Sequence, residues 1–221
     1  MIVFYPSHDY FSSDKINNAD FFGGFGTKRT SERKIFKSFY PVGAYQTHST
    51  NIHVVTAYQS VINNADGLIT KTKKILLVIK TADCVPMIFT DQKNKIIGIS
   101  HQGWRGTLKK MAIKMVEAMI DNGAMIQELI VFIGPAICKL HYAVDRQLYN
   151  QFAQVFNLKA QDNHLDLKEI NRQQLLTLGL KENQIEVSSY CPFCQHDLFY
   201  SYRREGKKLQ GRMLNFIALK D

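Results

Sequence analysis

Two short apolar runs, residues 86–90 and 95–100, flank a polar segment at 91–94. That alternation of apolar run, polar turn and apolar run predicts a β-hairpin. Cys84 stands just before the first run and His101 just after the second. Antiparallel pairing returns the chain to its starting end, so the two residues should meet at one edge of a sheet. Beyond His101, apolar positions at Leu108, Met111, Ala112, Met115, Ala118 and Met119 recur with a helical period. They predict a helix over 108–122, stopped by Gly123.

The same reading predicts strands at 1–5, 35–40, 42–47, 52–57, 75–79, 128–133, 185–188 and 213–219. Asp145 is a cap for a helix over 146–156, and a second helix over 167–178 should stop at Gly179. Residues 21–26, rich in Phe and Gly, read as a turn, and 157–166 as a polar loop. Arg203 and Arg204 follow an aromatic-rich segment read as a strand, where neighbours point to opposite faces. Only one of them should then reach a given site. No repeat, low-complexity tract or linker interrupts the chain. The expectation is an α+β fold in one domain over residues 1–221.

Composition narrows the partners. The 221 residues are 45% apolar, and no run approaches the length of a membrane span. The net charge of +9 favours anionic partners, but the basic residues are scattered rather than grouped. Solvated surface therefore explains most of them better than a nucleic-acid interface. Four cysteines are too few for a disulfide scaffold, and the N-terminus lacks a basic, then apolar, leader. A cytoplasmic protein with reduced thiols is expected.

The candidate chemistry centres on Cys84 and His101. They could form a nucleophilic dyad, the imidazole lowering the thiol pKa. With His48, in a loop that ends another strand, they could instead hold a metal ion with an open fourth position. Cys84 could equally be a small buried residue. Spacing alone leaves the three readings level. The turn Gly103–Trp104–Arg105–Gly106 leads into a helix beside His101 and would suit an anion, with Arg105 adding charge. Cys191 and Cys194 form a C-x-x-C pair, but Cys138 offers only one further, distant sulfur. Local packing is therefore the reading for that pair.

Four segments together resemble a known family. They are Thr81–Ala82–Asp83–Cys84–Val85–Pro86, His101–Gln102–Gly103–Trp104–Arg105–Gly106, Ile133–Gly134–Pro135–Ala136–Ile137 and Ser201–Tyr202–Arg203–Arg204–Glu205–Gly206. In this order they are similar to the YfiH-like proteins, the laccase-domain or polyphenol oxidoreductase family. The resemblance implies a sandwich of mixed β-sheets flanked by helices. It also implies a zinc site made by His48, Cys84 and His101; Asp83, adjoining Cys84, could position water or orient a ligand histidine. On that reading Arg105 and the Gly103–Gly106 turn, with Arg203, would hold the phosphate. The implied activities are phosphorolysis of adenosine, inosine and 5′-methylthioadenosine, and deamination of adenosine. The partners would be a nucleoside and phosphate, and the protein a monomer or small homo-oligomer. A toxin-like cysteine hydrolase using Cys84 and His101 is the alternative, and a laccase-like oxidoreductase a further one. Copper fits less well than zinc, because seven scattered histidines do not supply a multicopper centre. The sequence departs from the family where Ser49 replaces the usual glycine after the loop histidine and Glu205 replaces aspartate.

Overall fold

The computed structural model describes residues 1–6, 9–158 and 163–221. In chain order its strands are β1 (Val3–Tyr5), β2 (Tyr10–Ser12), β3 (Phe21–Gly26), β4 (Tyr40–Ala44), β5 (Ile52–Val54), β6 (Val61–Ile62) and β7 (Gly67–Thr70). Then follow β8 (Ile75–Thr81), β9 (Val85–Asp91), β10 (Ile96–Gln102), β11 (Leu129–Ile133), β12 (Ile185–Val187) and β13 (Met213–Leu219). The α-helices are α1 (Glu32–Phe36), α2 (Trp104–Leu108), α3 (Met111–Asp121), α4 (Arg146–Phe156), α5 (Leu167–Thr177) and α6 (Tyr202–Glu205).

The strands form two sheets, ordered β1-β2-β3-β13-β8-β4-β6 and β12-β11-β9-β10-β7-β5. Both are mixed: β4 runs parallel to β6 and β8, β5 to β7 and β11 to β12, while the remaining pairs are antiparallel. The fold is α+β, two mixed sheets with helices against their outer faces. Alternation along each strand decides which side chains fill which layer. Leu77, Ile79 and Ile217 of the first sheet meet Ile88, Ile97, Ile99 and Phe132 of the second in the layer between them. The opposite face of β9, carrying Val85, Met87 and Phe89, packs on Met111, Met115 and Met119 of α3 and on Leu175 of α5. Burying a side chain of this size contributes about 1.5–3 kcal/mol, so these layers dominate the stability.

Several elements differ from the sequence reading. Residues 32–36 are helical where a strand was expected from 35, because Ile35 is the single residue of that turn that buries deeply. The expected helix over 108–122 is two helices: Lys110 adopts a left-handed φ of 58° and separates α2 from α3. The segment at 21–26 is strand β3, not a turn. Arg203 and Arg204 sit on helix α6, whose N-terminus is capped by the Ser201 side chain accepting from Arg204 N. The polar loop expected at 157–166 lies in part, at 159–162, outside the described residues.

The helices α4 and α5 form where expected. Asp145 accepts from Leu148 N and Asp166 accepts from Glu169 N, each supplying an acceptor to an otherwise unsatisfied first-turn amide. The motif at 133–137 has a packing explanation. A Cβ on Gly134 would collide with the Phe25 ring and lie 2.8 Å from Pro86 Cγ, so β11 can leave the sheet here only without a side chain.

Candidate active site

The hairpin forms as predicted, and its register fixes the site. His101 pairs with Pro86 and Gln102 with Val85, which puts Cys84 one step beyond the last pair. His101 lies inside β10 rather than after it. It shares its strand face with Ile97 and Ile99, so it points into the gap between the sheets. On the other side of β10, Ser100 pairs with Gly67, and His101 N donates to Asp66 O at 2.8 Å.

Asp66 organises the rest. Its Oδ1 lies 2.7 Å from His101 Nδ1, which leaves the other ring nitrogen towards Cys84. The same carboxylate accepts from Thr47 N at 3.1 Å, His48 N at 3.2 Å and Ser49 N at 2.7 Å. The Ser49 hydroxyl adds a further bond of 2.7 Å, which a glycine at this position could not make. Three successive amides gripped by one buried carboxylate hold His48 in a left-handed conformation, φ 59°. Such a backbone costs about 1–3 kcal/mol for a residue with a side chain and needs support of this kind.

His48, Cys84 and His101 thereby converge, with one nitrogen or sulfur from each within 4.8 Å of the others. Cys84 Sγ is 4.0 Å from His48 Nε2, and the two imidazoles stand edge to face with centroids 4.7 Å apart. The electrostatics match the geometry. Burial would raise the Cys84 thiol, but the His101 charge and hydrogen bonds from both histidines bring it down to about 6. Burial would lower His101, yet the Cys84 sulfur and the Asp66 carboxylate hold it up at about 9. Asp66 is kept at about 2, its bonds from His101 and Ser49 outweighing burial.

The trio suits a metal ion on two grounds. Two imidazoles and a thiolate are a donor set for zinc, with a carboxylate already fixing one imidazole as such sites require. Gly103 also leaves room: a Cβ there would lie 2.8 Å from His48 Cδ2 and 3.1 Å from Cys84 Sγ. Gly103→Ala should therefore push the ligands apart and weaken zinc binding at least about tenfold with the fold kept. Competition against a chromophoric chelator, with circular dichroism as control, measures this, and unchanged affinity would contradict it.

Around the trio, Asp83 adopts φ 83° and its Oδ2 accepts from Arg203 N at 2.6 Å, tying the Cys84 turn to the start of α6. Asp83 Oδ1 is buried without a protein partner, and burial pushes this carboxyl above its usual range despite Arg203, Ser201 and Arg204. The carboxylate that orients His101 is that of Asp66, not that of Asp83 as the sequence allowed. Arg105 is exposed with its guanidinium 4.4 Å from the Trp104 ring centroid, and Arg203 is exposed 5.0 Å from that of Tyr142. Burial and the nearby Cys84 push the Tyr142 phenol up to about 12, and Asp83, Arg203 and Arg105 act on it too. Arg204 is spent inside the protein, bonded to the carbonyls of Pro192, Phe193 and Phe199. Gly106 is buried within α2, against Met111. Clefts of about 360 and 400 Å³ lie elsewhere, around Tyr200 and Tyr58, and include none of the trio.

Most of the chain matches a known family. Residues 29–220 match the family described as multi-copper polyphenol oxidoreductase laccase. The chain belongs to this family. A purine nucleoside phosphorylase, YlmD of Bacillus subtilis, is 35% identical over 81% of this chain and 71% of its own length. An adenosine deaminase from an unknown prokaryotic organism is 31% identical over 73% of this chain and 68% of its own. In structure, the YfiH protein of Bacillus licheniformis superposes with a TM-score of 0.86 at 31% identity, covering 97% of this chain and 98% of the other. YlmD of Geobacillus stearothermophilus gives 0.85 at 26% identity, covering 98% of each. The laccase family's copper label sits uneasily on this member: two histidines and a cysteine could hold one ion, whereas reducing oxygen at a multicopper centre takes many more imidazoles.

The sequence missed three features. Nothing in the local sequence sets Asp66 apart, although an Asp opposite a strand histidine is the usual way to fix an imidazole. Tyr142 gave no signal. Cys138 is not distant from the C-x-x-C pair: its sulfur is 3.9 Å from that of Cys194, and His141 joins them. The spacing Cys138-x-x-His141 was the available clue.

Proposed function

We propose that the protein is a metal-dependent purine nucleoside enzyme. It would cleave adenosine, inosine and 5′-methylthioadenosine with phosphate, giving free base and the sugar 1-phosphate. It would also hydrolyse adenosine to inosine and ammonia. The observation that carries the reading is the convergence of His48, Cys84 and His101 next to two exposed arginines. The names of the relatives supply the substrate class.

His48, Cys84 and His101 would hold zinc, which when bound supplies Lewis acidity and activation of water near neutral pH. Asp66 keeps the His101 tautomer fixed and sets the His48 loop. Arg105 and Arg203 would receive the phosphate dianion, and the aromatic rings beneath them restrict where the guanidiniums can go. Asp83 would serve as a proton donor, since burial favours its neutral form and Oδ1 has no partner among the described residues. A nucleoside and a phosphate together need both cations, whereas deamination needs only water at the trio.

The Cys84–His101 pair also sustains a second reading, a cysteine hydrolase, because the thiol is already lowered towards a thiolate without metal. Chromatography of adenosine incubated with and without phosphate separates the cases. Adenine should appear only with phosphate and inosine in both, and both should disappear on chelation and return with zinc. Full activity after exhaustive chelation would refute the metal-dependent reading.

A further inference from the structure

A second cluster of metal-type side chains lies behind the first. Cys138 and His141 come from the turn after β11, and Cys191 and Cys194 from the turn after β12. One donor atom from each of the four lies within 4.8 Å of all the others. Cys138 Sγ to Cys194 Sγ is 3.9 Å, Cys138 Sγ to His141 Nδ1 is 3.3 Å and Cys194 Sγ to His141 Nδ1 is 3.4 Å.

We propose that Cys138, His141, Cys191 and Cys194 form a closed, four-ligand structural zinc site, distinct from the His48–Cys84–His101 centre. The distances support it. A tetrahedron with Zn–S near 2.3 Å and Zn–N near 2.05 Å has edges of about 3.8 Å between sulfurs and about 3.6 Å from sulfur to nitrogen. All three separations fall within a few tenths of an ångström of those edges. A disulfide would instead need sulfurs about 2.05 Å apart, and all four cysteines are free.

The surroundings are built for the site. The His141 ring stacks on Phe193 with centroids 4.2 Å apart and planes 18° from parallel, which fixes where its nitrogen points. Cys138 N donates to Cys191 Sγ at 3.3 Å, the kind of amide–sulfur bond that supports a thiolate ligand. Three thiolates and an imidazole around a divalent ion carry one net negative charge. Lys168 lies buried beside them, its ammonium donating to Ser188 O at 2.6 Å and Tyr190 O at 3.3 Å and felt by all three sulfurs. That cation would offset the charge.

The site would tie together segments on which the candidate active centre depends. Ile137, next to Cys138, donates its amide to Asp83 O at 3.0 Å. Tyr142 follows His141, and Arg204 of α6 clasps the carbonyls of Pro192 and Phe193 inside the C-x-x-C turn. The inference does not rest on the proposed reaction.

Metal analysis of the full-length protein, purified under reducing conditions and dialysed, tests it. The expected content is two zinc ions per chain. His141→Ala and Cys194→Ala should each remove one, and His141→Cys should keep two by completing a four-cysteine site. Cys84→Ala protein should retain one ion; after replacement by cobalt it should show thiolate-to-metal charge transfer and tetrahedral ligand-field bands. One ion that vanishes in His141→Ala but stays in Cys84→Ala would support this site and remove the other. A Cys84→Ala protein without metal would overturn the proposal. So would wild-type content in His141→Ala, or an intact mass showing Cys138 and Cys194 already joined.

Discussion

Cys84→Ala is expected to reduce adenosine turnover about a thousandfold or more, with little change in the temperature of unfolding. Lewis-acid stabilisation at a metal site supplies several kcal/mol, and each 1.4 kcal/mol is a factor of ten in rate, so a loss of roughly 4 kcal/mol gives that factor. The fold should survive because Cys84 is small, partly exposed and outside the packed layers. Steady-state rates with and without phosphate, together with thermal unfolding, measure both halves. The loss alone does not separate metal ligand from nucleophile, but alkylation does. With the thiol at about 6, the metal-free protein should carry a thiolate at neutral pH and react readily with iodoacetamide at Cys84. Zinc should protect it. Equal labelling with and without zinc, alongside activity that survives chelation, would favour the hydrolase.

Asp66→Ala should lower zinc affinity at the trio by about 10–100-fold, the usual cost of losing a carboxylate behind a ligand histidine. It should also destabilise the metal-free protein by about 3 kcal/mol or more. Breaking a buried charge pair from one side costs about 3–5 kcal/mol, and here the amides of residues 47–49 lose their acceptor as well. Asp66→Asn should be milder in stability, since an amide oxygen can still accept from the loop. Chelator competition and urea unfolding report the two effects separately. If Asp66→Ala bound zinc like the wild type, the orienting role of this carboxylate would have to be abandoned.

The parts of the fold that were legible are those where local pattern and tertiary packing agree. The 86–100 hairpin, the capped helices α4 and α5 and strand β13 are of this kind. Where they parted, packing decided. Residues 35–40, with Ile35, Phe36, Phe39 and Tyr40, carry enough β-formers to read as a strand, yet within 32–36 only Ile35 buries deeply and that stretch winds into a helix. Lys110 breaks a helical period that continues unbroken in the sequence, because α2 must follow β10 while α3 must lie across the sheet. At the site, Cys84 and His101 were readable because one hairpin joins them. Asp66 was not, because its partners come from residues 47–49 and 101, and no local pattern encodes a bond between separate strands. The four-residue cluster failed for the same reason: Cys138 and Cys194 are 56 positions apart and meet only because β11 and β12 run side by side.

The grip of Asp66 on residues 47–49 has a further consequence. The bend that presents His48 is complete in the bare polypeptide, held by bonds that owe nothing to an ion. Metal uptake at that centre would thus be docking into a finished socket, with little chain entropy left to lose and a proton expelled from His101 as the ion arrived.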